Sequence, residues 1–360
     1  MMARYAEITG WGKALPPVVL TNSDLELIVD TSDQWITSRS GIKERRISHV
    51  PASDMAELAA RRAVAAAGIA MEEVDLIVNA TCTPESIIPA SASYVQAKLG
   101  AVNAGAIDVN ANCSGFVYGY VMADSLVRSG AAGAVLLVGV ERLSWLVDYT
   151  DRSTCILFGD GAGAVVVQAS ATPAGVLASE LGVDGTMADI LCVPNDGTIE
   201  PGSASSVTRL VMEGSDVFRR AVTAMADASE SVVRQAGWDL DDIDLLVPHQ
   251  ANQRIIDATA RRLKLDSARV FLNIHAYGNT SAATIPIALT EAIEAGRVPS
   301  RGNLVFAAFG GGLTWAAAAV RFGERVEPVG VIEDELPKSD QTVWELIQPN
   351  FDYYGRLERQ

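Results

Sequence analysis

Two stretches 169 residues apart have the same pattern. AGIAMEEVDLIV starts at Ala67 and AGWDLDDIDLLV starts at Ala236. Each reads as a helix end, a glycine cap, an acidic turn and then a buried strand. Gly68 falls on Gly237. The same offset lays Val135-Leu136-Leu137-Val138 over Leu304-Val305-Phe306-Ala307, two further apolar strands. It also lays Asn110 over Asn279 and Cys113 over Ala282, both at a strand-to-helix junction. βα units share such signals through composition alone. A register constant over four landmarks points instead to two α/β halves of similar topology packed against each other. Ligand sites in such sheets form at strand C-termini and helix N-termini, which is where Cys113, His249 and Asn279 fall.

The halves meet near Ala169–Pro173, and residues 195–209, NDGTIEPGSASSVTR, read as a long polar loop. The last core strand is expected over Ala316–Phe322. The acidic stretch that follows contains Pro328, Pro337 and Pro349, and carries apolar anchors at Trp344, Leu346, Ile347, Phe351, Tyr353 and Tyr354. It is expected to pack on the surface or on a partner subunit. The organisation expected is therefore an N-terminal half over 1–170, a C-terminal half over 171–323 and an extension over 324–360.

The 360 residues are 49% hydrophobic and 20% charged, which allows a sizeable core and argues against disorder. A net charge of −16 argues against nucleic acid or an anionic membrane as partner, although a local basic patch can still dock an acidic one. Apolar runs such as GAAGAVLLVGV are too short to span a bilayer, and MMARYAEITGWGKALPP has no signal-peptide pattern. Cys82, Cys113, Cys155 and Cys192 form no C-x-x-C and no metal spacing with histidine. A reducing cytoplasm and no metal site are expected.

Cys113 lies in DVNANCSGFVYG, where a strand-like run gives way to a helix-like one. A helix start lowers a thiol pKa toward the reactive range, and Ser114 and Gly115 leave room for a substrate. A buried, inert cysteine is the competing reading. Of three histidines, only His249 ends a buried strand, Ile243–Val247, and precedes a helix, whereas His49 reads as surface and His275 as loop. His249 is read as a core residue or a catalytic one. Asn279 is read as a plain N-cap or as a site residue. The glycine runs FGDGAGAVVV and FGGGLTW each precede a strand rather than a helix, which disfavours a dinucleotide site. Their backbone can still approach a ligand and offer N–H donors. Arg254 and the pair Arg261–Arg262, spaced by seven and eight, share one helix face. With Arg219 and Arg220 they form either a solvated face or a dock for an acidic carrier.

Taken together, SDQWITSRSGIKERRI, NANCSGF, DRSTCILFGDGAGAVV, VMEGSDVFRRAV, VPHQANQRII, YGNTSAATIP and FGGGLTW run in one order through residues 3–323. This set resembles β-ketoacyl-acyl-carrier-protein synthase III, the initiating condensing enzyme of type II fatty-acid synthesis. The resemblance implies the α/β thiolase fold: two duplicated βαβαβαββ halves in a five-layered α-β-α-β-α arrangement. It implies Cys113, His249 and Asn279 as the catalytic triad, with the backbone N–H groups of Cys113 and Gly311 as oxyanion donors. It implies coenzyme A contacts at Trp35, Arg39, Arg152, Gly214 and Asn252. Carrier docking falls on Arg219, Arg254 and one of Arg261 or Arg262, and Ile88 falls where a homodimer partner's acyl pocket is reached. The implied substrates are acyl-CoA and malonyl-acyl carrier protein, with no cofactor. The longer tail and the segment NDGTIEPGSAS depart from the family pattern. They fit a pathway-specific condensing enzyme or acyltransferase of secondary metabolism as well. A catalytically silent acyl-binding subunit is disfavoured by the intact triad.

Overall fold

The computed structural model describes residues 5–194 and 210–357; the polar stretch 195–209 lies outside the described residues. The first half forms a five-stranded sheet from β1 (Tyr5–Ala14), β2 (Leu76–Ala80), β3 (Gly105–Val109), β4 (Ala134–Arg142) and β5 (Asp160–Ser170), ordered β1-β5-β4-β2-β3. The second forms a four-stranded sheet from β6 (Gly175–Val183), β7 (Leu245–Pro248), β8 (Asn303–Gly310) and β9 (Thr314–Arg321), ordered β7-β8-β9-β6.

The 169-residue offset holds at the level of strand register. Leu76 lies opposite Val135 in the parallel pair β2–β4, and Leu245 lies opposite Leu304 in the parallel pair β7–β8. Gly68 and Gly237 both take the left-handed conformation, with φ of 73° and 75°, as chain reversals before these strands require. The acidic turns between them are single 3-10 turns, Met71–Glu73 and Leu240–Asp242. Two differences from expectation follow. The strand expected from Ile243 starts at Leu245, because Ile243 closes the acidic turn. The strand expected over Ala316–Phe322 runs two residues earlier at its start. Where the first sheet has β3, the second has a single bridge between Leu246 and Val270.

Helix α1 (Ala52–Ala67) is alanine-rich, a composition that favours helix, and covers the outer face of β1, β5 and β4. Helices α2 (Gly115–Ser129) and α5 (Thr284–Glu294) lie between the two sheets. Helix α3 (Gly214–Gln235) covers β6, β8 and β9 from outside and packs against α4 (Gln253–Arg262). The order of layers is α-β-α-β-α. The glycines of FGDGAGAVVV serve this stacking: a Cβ on Gly163 would lie 2.7 Å from the backbone nitrogen of Ile287 in α5.

The chain beyond β9 folds back over its own first half. Arg325 donates to the carbonyls of Thr9 and Ala66, and the N–H groups of Val329 and Gly330 donate to Ala66 and Ala65 at the end of α1. A final helix, α6 (Val343–Leu357), lies against the segment after β4. It also covers His49, which the sequence placed on the surface; both ring nitrogens are shielded from solvent in the groove beneath α6.

Candidate active site

The turns Asn112–Ser114 and Ser281–Ala283 initiate α2 and α5 at equivalent points of the two halves. They face each other across the layer boundary, and a cavity of about 760 Å³ opens beside them. Cys113, His249 and Asn279 all line it. The three readings left open by the sequence therefore converge on one space.

Cys113 is 9% exposed. A Cβ on Gly310 would lie 2.8 Å from the Cys113 backbone nitrogen, so the glycine run FGGGLTW brings bare backbone against the Cys113 turn. Asn112 Nδ2 donates to the Gly311 carbonyl at 3.0 Å and ties the two segments together. The expected lowering of the thiol pKa is not found. Burial pushes the Cys113 thiol up to about 12, opposed by the Ser281 hydroxyl, while the charge of Glu141 adds to the rise. The helix start supplies N–H groups, but desolvation of the anion outweighs them, and the resting sulfur is a thiol.

His249 follows β7 and is 1% exposed. Its backbone N–H donates to Ala307, and Nδ1 lies 2.7 Å from Thr284 Oγ1 at the start of α5. Burial lowers its pKa to about 3, so the imidazole is neutral near pH 7. Asn279 directly precedes Thr280, the N-cap of the turn Ser281–Ala283, and lines the cavity. Its Oδ1 accepts the Ser281 N–H at 2.8 Å, which orients the amide and leaves Nδ2 for the cavity.

Trp35, Arg39, Gly214 and Asn252 line the same cavity. The guanidiniums of Arg39 and Arg152 lie 5.8 and 4.9 Å from the Trp35 ring centroid, placing two cations on one cavity-lining aromatic, although Arg152 itself does not line the cavity. Asn252 caps α4 through Oδ1 and donates from Nδ2 to the Arg39 carbonyl. Arg254 and Arg219 also line the cavity; Arg254 lies over the Phe218 ring and Arg219 pairs with Asp216. Arg261 and Arg262 are exposed further along α4, and Arg262 pairs with Asp227. Ile88 is 87% exposed and lies away from this chain's cavity.

One group carries no local sequence signal. Glu141, at the end of β4, is wholly buried and accepts from Thr83 Oγ1 at 2.6 Å, Ser281 Oγ at 3.0 Å and the Cys82 N–H at 3.1 Å. Burial raises its pKa, with these donors opposing the rise. Ser281 thus stands between this carboxyl and the Cys113 sulfur. Its place was marked by the repeat, since the 169-residue offset lays it over Asn112. Nothing local marked Glu141 or Thr284.

Family sequence models for 3-oxoacyl-[acyl-carrier-protein] synthase III match residues 107–185, and for its C-terminal region residues 233–322. A β-ketoacyl-[acyl-carrier-protein] synthase III 2 of Vibrio cholerae is 46% identical over 354 residues, covering 98% of each chain. The chain belongs to the β-ketoacyl-acyl-carrier-protein synthase III family. A Roseiflexus member is 48% identical over 327 residues, covering 89% of this chain and 99% of its own. The crystal structure of the Aquifex aeolicus 3-oxoacyl-[acyl-carrier-protein] synthase III superposes with a TM-score of 0.84 at 46% identity, covering 88% of this chain and all of that one. The thiolase fold and the condensing, acyl-transferring class expected from the motifs are those of this family. No helix among the described residues is long and apolar enough to cross a membrane.

Proposed function

We propose that Cys113 takes an acyl group from acyl-CoA and that His249 and Asn279 then support its decarboxylative condensation with malonyl-acyl carrier protein. The convergence of these three side chains on one cavity carries the reading. The sulfur attacks the thioester carbonyl, the carbon–sulfur bond to coenzyme A breaks, and the thiol proton ends on the departing coenzyme A. The N–H groups of Cys113 and Gly311 serve as donors to the developing oxyanion, an interaction that is commonly worth about 3 kcal/mol per donor. Loss of CO₂ from the malonyl group then leaves an enolate on the thioester oxygen. Asn279 Nδ2 donates to that oxygen. His249 does the same from Nε2 in the tautomer that carries its proton there, which requires the Thr284 hydroxyl, 2.7 Å from Nδ1 and 2.9 Å from the Ser281 carbonyl, to turn its proton from that carbonyl to Nδ1. The carbanion attacks the acyl-Cys113 carbonyl, the thiol is released, and a 3-oxoacyl-carrier protein leaves. No step calls for a metal or redox group.

Coenzyme A is assigned to Trp35, Arg39, Arg152, Gly214 and Asn252, and carrier docking to Arg219, Arg254, Arg261 and Arg262. The division into 1–170, 171–323 and 324–360 follows the repeat. A homodimer is supported by the edge position of β3 and by exposed Ile87, Ile88 and Ile107 nearby. Four free cysteines suit a cytoplasmic protein. The test is incubation with acyl-CoA and malonyl-carrier: acylation of Cys113, CO₂ release and a new C–C bond are expected, and acyl transfer to oxygen or nitrogen without CO₂ would overturn the reading.

A further inference from the structure

The cavity wall at Leu143 and Leu146 belongs to a long connection between β4 and β5. The corresponding connection in the second half, between β8 and β9, is the short turn Gly311–Leu313. A long connection outside the sheets must find other partners for its backbone. One hold is Asp160, which accepts the Ser144 N–H and hydroxyl at 2.9 and 2.6 Å. The other is α6. Asn350 Nδ2 donates to the carbonyls of Ser144 and Val147 at 2.8 and 2.7 Å, and the Tyr354 hydroxyl donates to that of Leu146 at 3.2 Å. Phe351 packs on the Tyr149 ring at 6.0 Å. This contact is desolvated: Ile347 is 1% exposed, Tyr354 4% and Asn350 7%.

Helix α6 is itself firmly placed. Thr342 and Glu345 form a reciprocal capping box at its start, and the chain leading to it is bonded to the end of α1. No described side chain of α6 lines the cavity, so these touch the wall only from behind. The Roseiflexus relative leaves about a tenth of this chain unmatched while matching nearly all of its own length, whereas the Vibrio cholerae relative matches both almost fully.

We propose that α6 is a specificity-determining element of this enzyme: by bracing the Leu143–Val147 wall it sets the width of the acyl cavity and the range of primers that Cys113 accepts. Asn350 is the positioning residue. The inference rests on the condensing-enzyme reading above.

Rates of Cys113 acylation across acetyl-, butyryl-, hexanoyl- and octanoyl-CoA, followed by intact mass, test it in wild type, Asn350→Ala and Tyr354→Phe. A loosened wall admits longer chains. The hexanoyl-to-acetyl ratio of kcat/KM is expected to rise on the order of fivefold in Asn350→Ala, mostly through KM, and to move less in the same direction in Tyr354→Phe. A ratio within twofold of wild type in folded variants, or equal losses on every primer, would show a purely structural helix and overturn the proposal. If Asn350→Ala fails to fold, Tyr354→Phe alone decides. A wild-type enzyme that loads none of the series overturns the underlying reading as well, a result distinct from an unchanged ratio.

Discussion

Asn112 and Ser281, 169 residues apart, share a left-handed backbone, with φ of 51° and 49°. Such a conformation costs a residue bearing a Cβ about 1 kcal/mol or more, and side-chain contacts with the opposite half oppose that cost at each site. Asn112 reaches Gly311, and Ser281 reaches Glu141. Each half therefore braces the other's helix-initiating turn, and Cys113 sits on one of these turns. Asn112→Gly removes the backbone cost together with the tie to Gly311. Stability is expected to stay within about 1 kcal/mol of wild type while Cys113 acylation slows roughly tenfold or more. Thermal midpoints and acylation rates measured on the same samples check this; unchanged acylation would show that the tie is dispensable.

Loading and condensation separate at Asn279. Cys113→Ala is expected to abolish acyl loading. Asn279→Asp keeps an oxygen for the Ser281 N–H but removes both amide donors from the cavity. Loading by acyl-CoA is expected to persist, while CO₂ release from malonyl-carrier falls by about 100-fold or more. Condensation at the wild-type rate in this variant would remove Asn279 from the enolate site.

Much of this arrangement was legible because it is local or periodic. The glycine caps at Gly68 and Gly237 and the matched strand registers follow from short patterns repeated at one spacing. Glu141 and Thr284 were hidden because their roles are made by contacts 140 and 35 positions away. The Cys113 thiol was misjudged for a related reason: a helix start can be read from sequence, but the burial that dominates its pKa cannot. The extension was similar. Thr342-Val-Trp-Glu345 carries a capping-box signal, yet nothing in it shows that Asn350 will meet the carbonyls of Ser144 and Val147.

Thr284 is expected to matter to condensation without touching substrate. Thr284→Val removes the hydroxyl beside His249 Nδ1 at nearly constant volume. The imidazole then loses the hydroxyl that, turned from the Ser281 carbonyl to Nδ1, holds the ring proton on Nε2. Condensation is expected to fall on the order of tenfold or more, with loading of Cys113 spared and rescue by Thr284→Ser. Equal losses in loading and condensation would indicate a packing defect instead.

His249 ties stability to acidity with a definite sign. Its folded pKa is lowered to about 3 from the ordinary 6.5 by burial. Between those values the unfolded chain binds a proton that the folded chain does not, so stability from this group is fully present above about pH 6.5 and is lost as pH falls toward 3. The span corresponds to a loss on the order of 5 kcal/mol. Urea midpoints measured from pH 7.5 to 4.5 are expected to fall more steeply for wild type than for His249→Ala, the difference isolating this group from other titrations. Parallel curves would mean that the folded protein accommodates the charged imidazole, and with it that the cavity beside Cys113 is wetter than its burial implies.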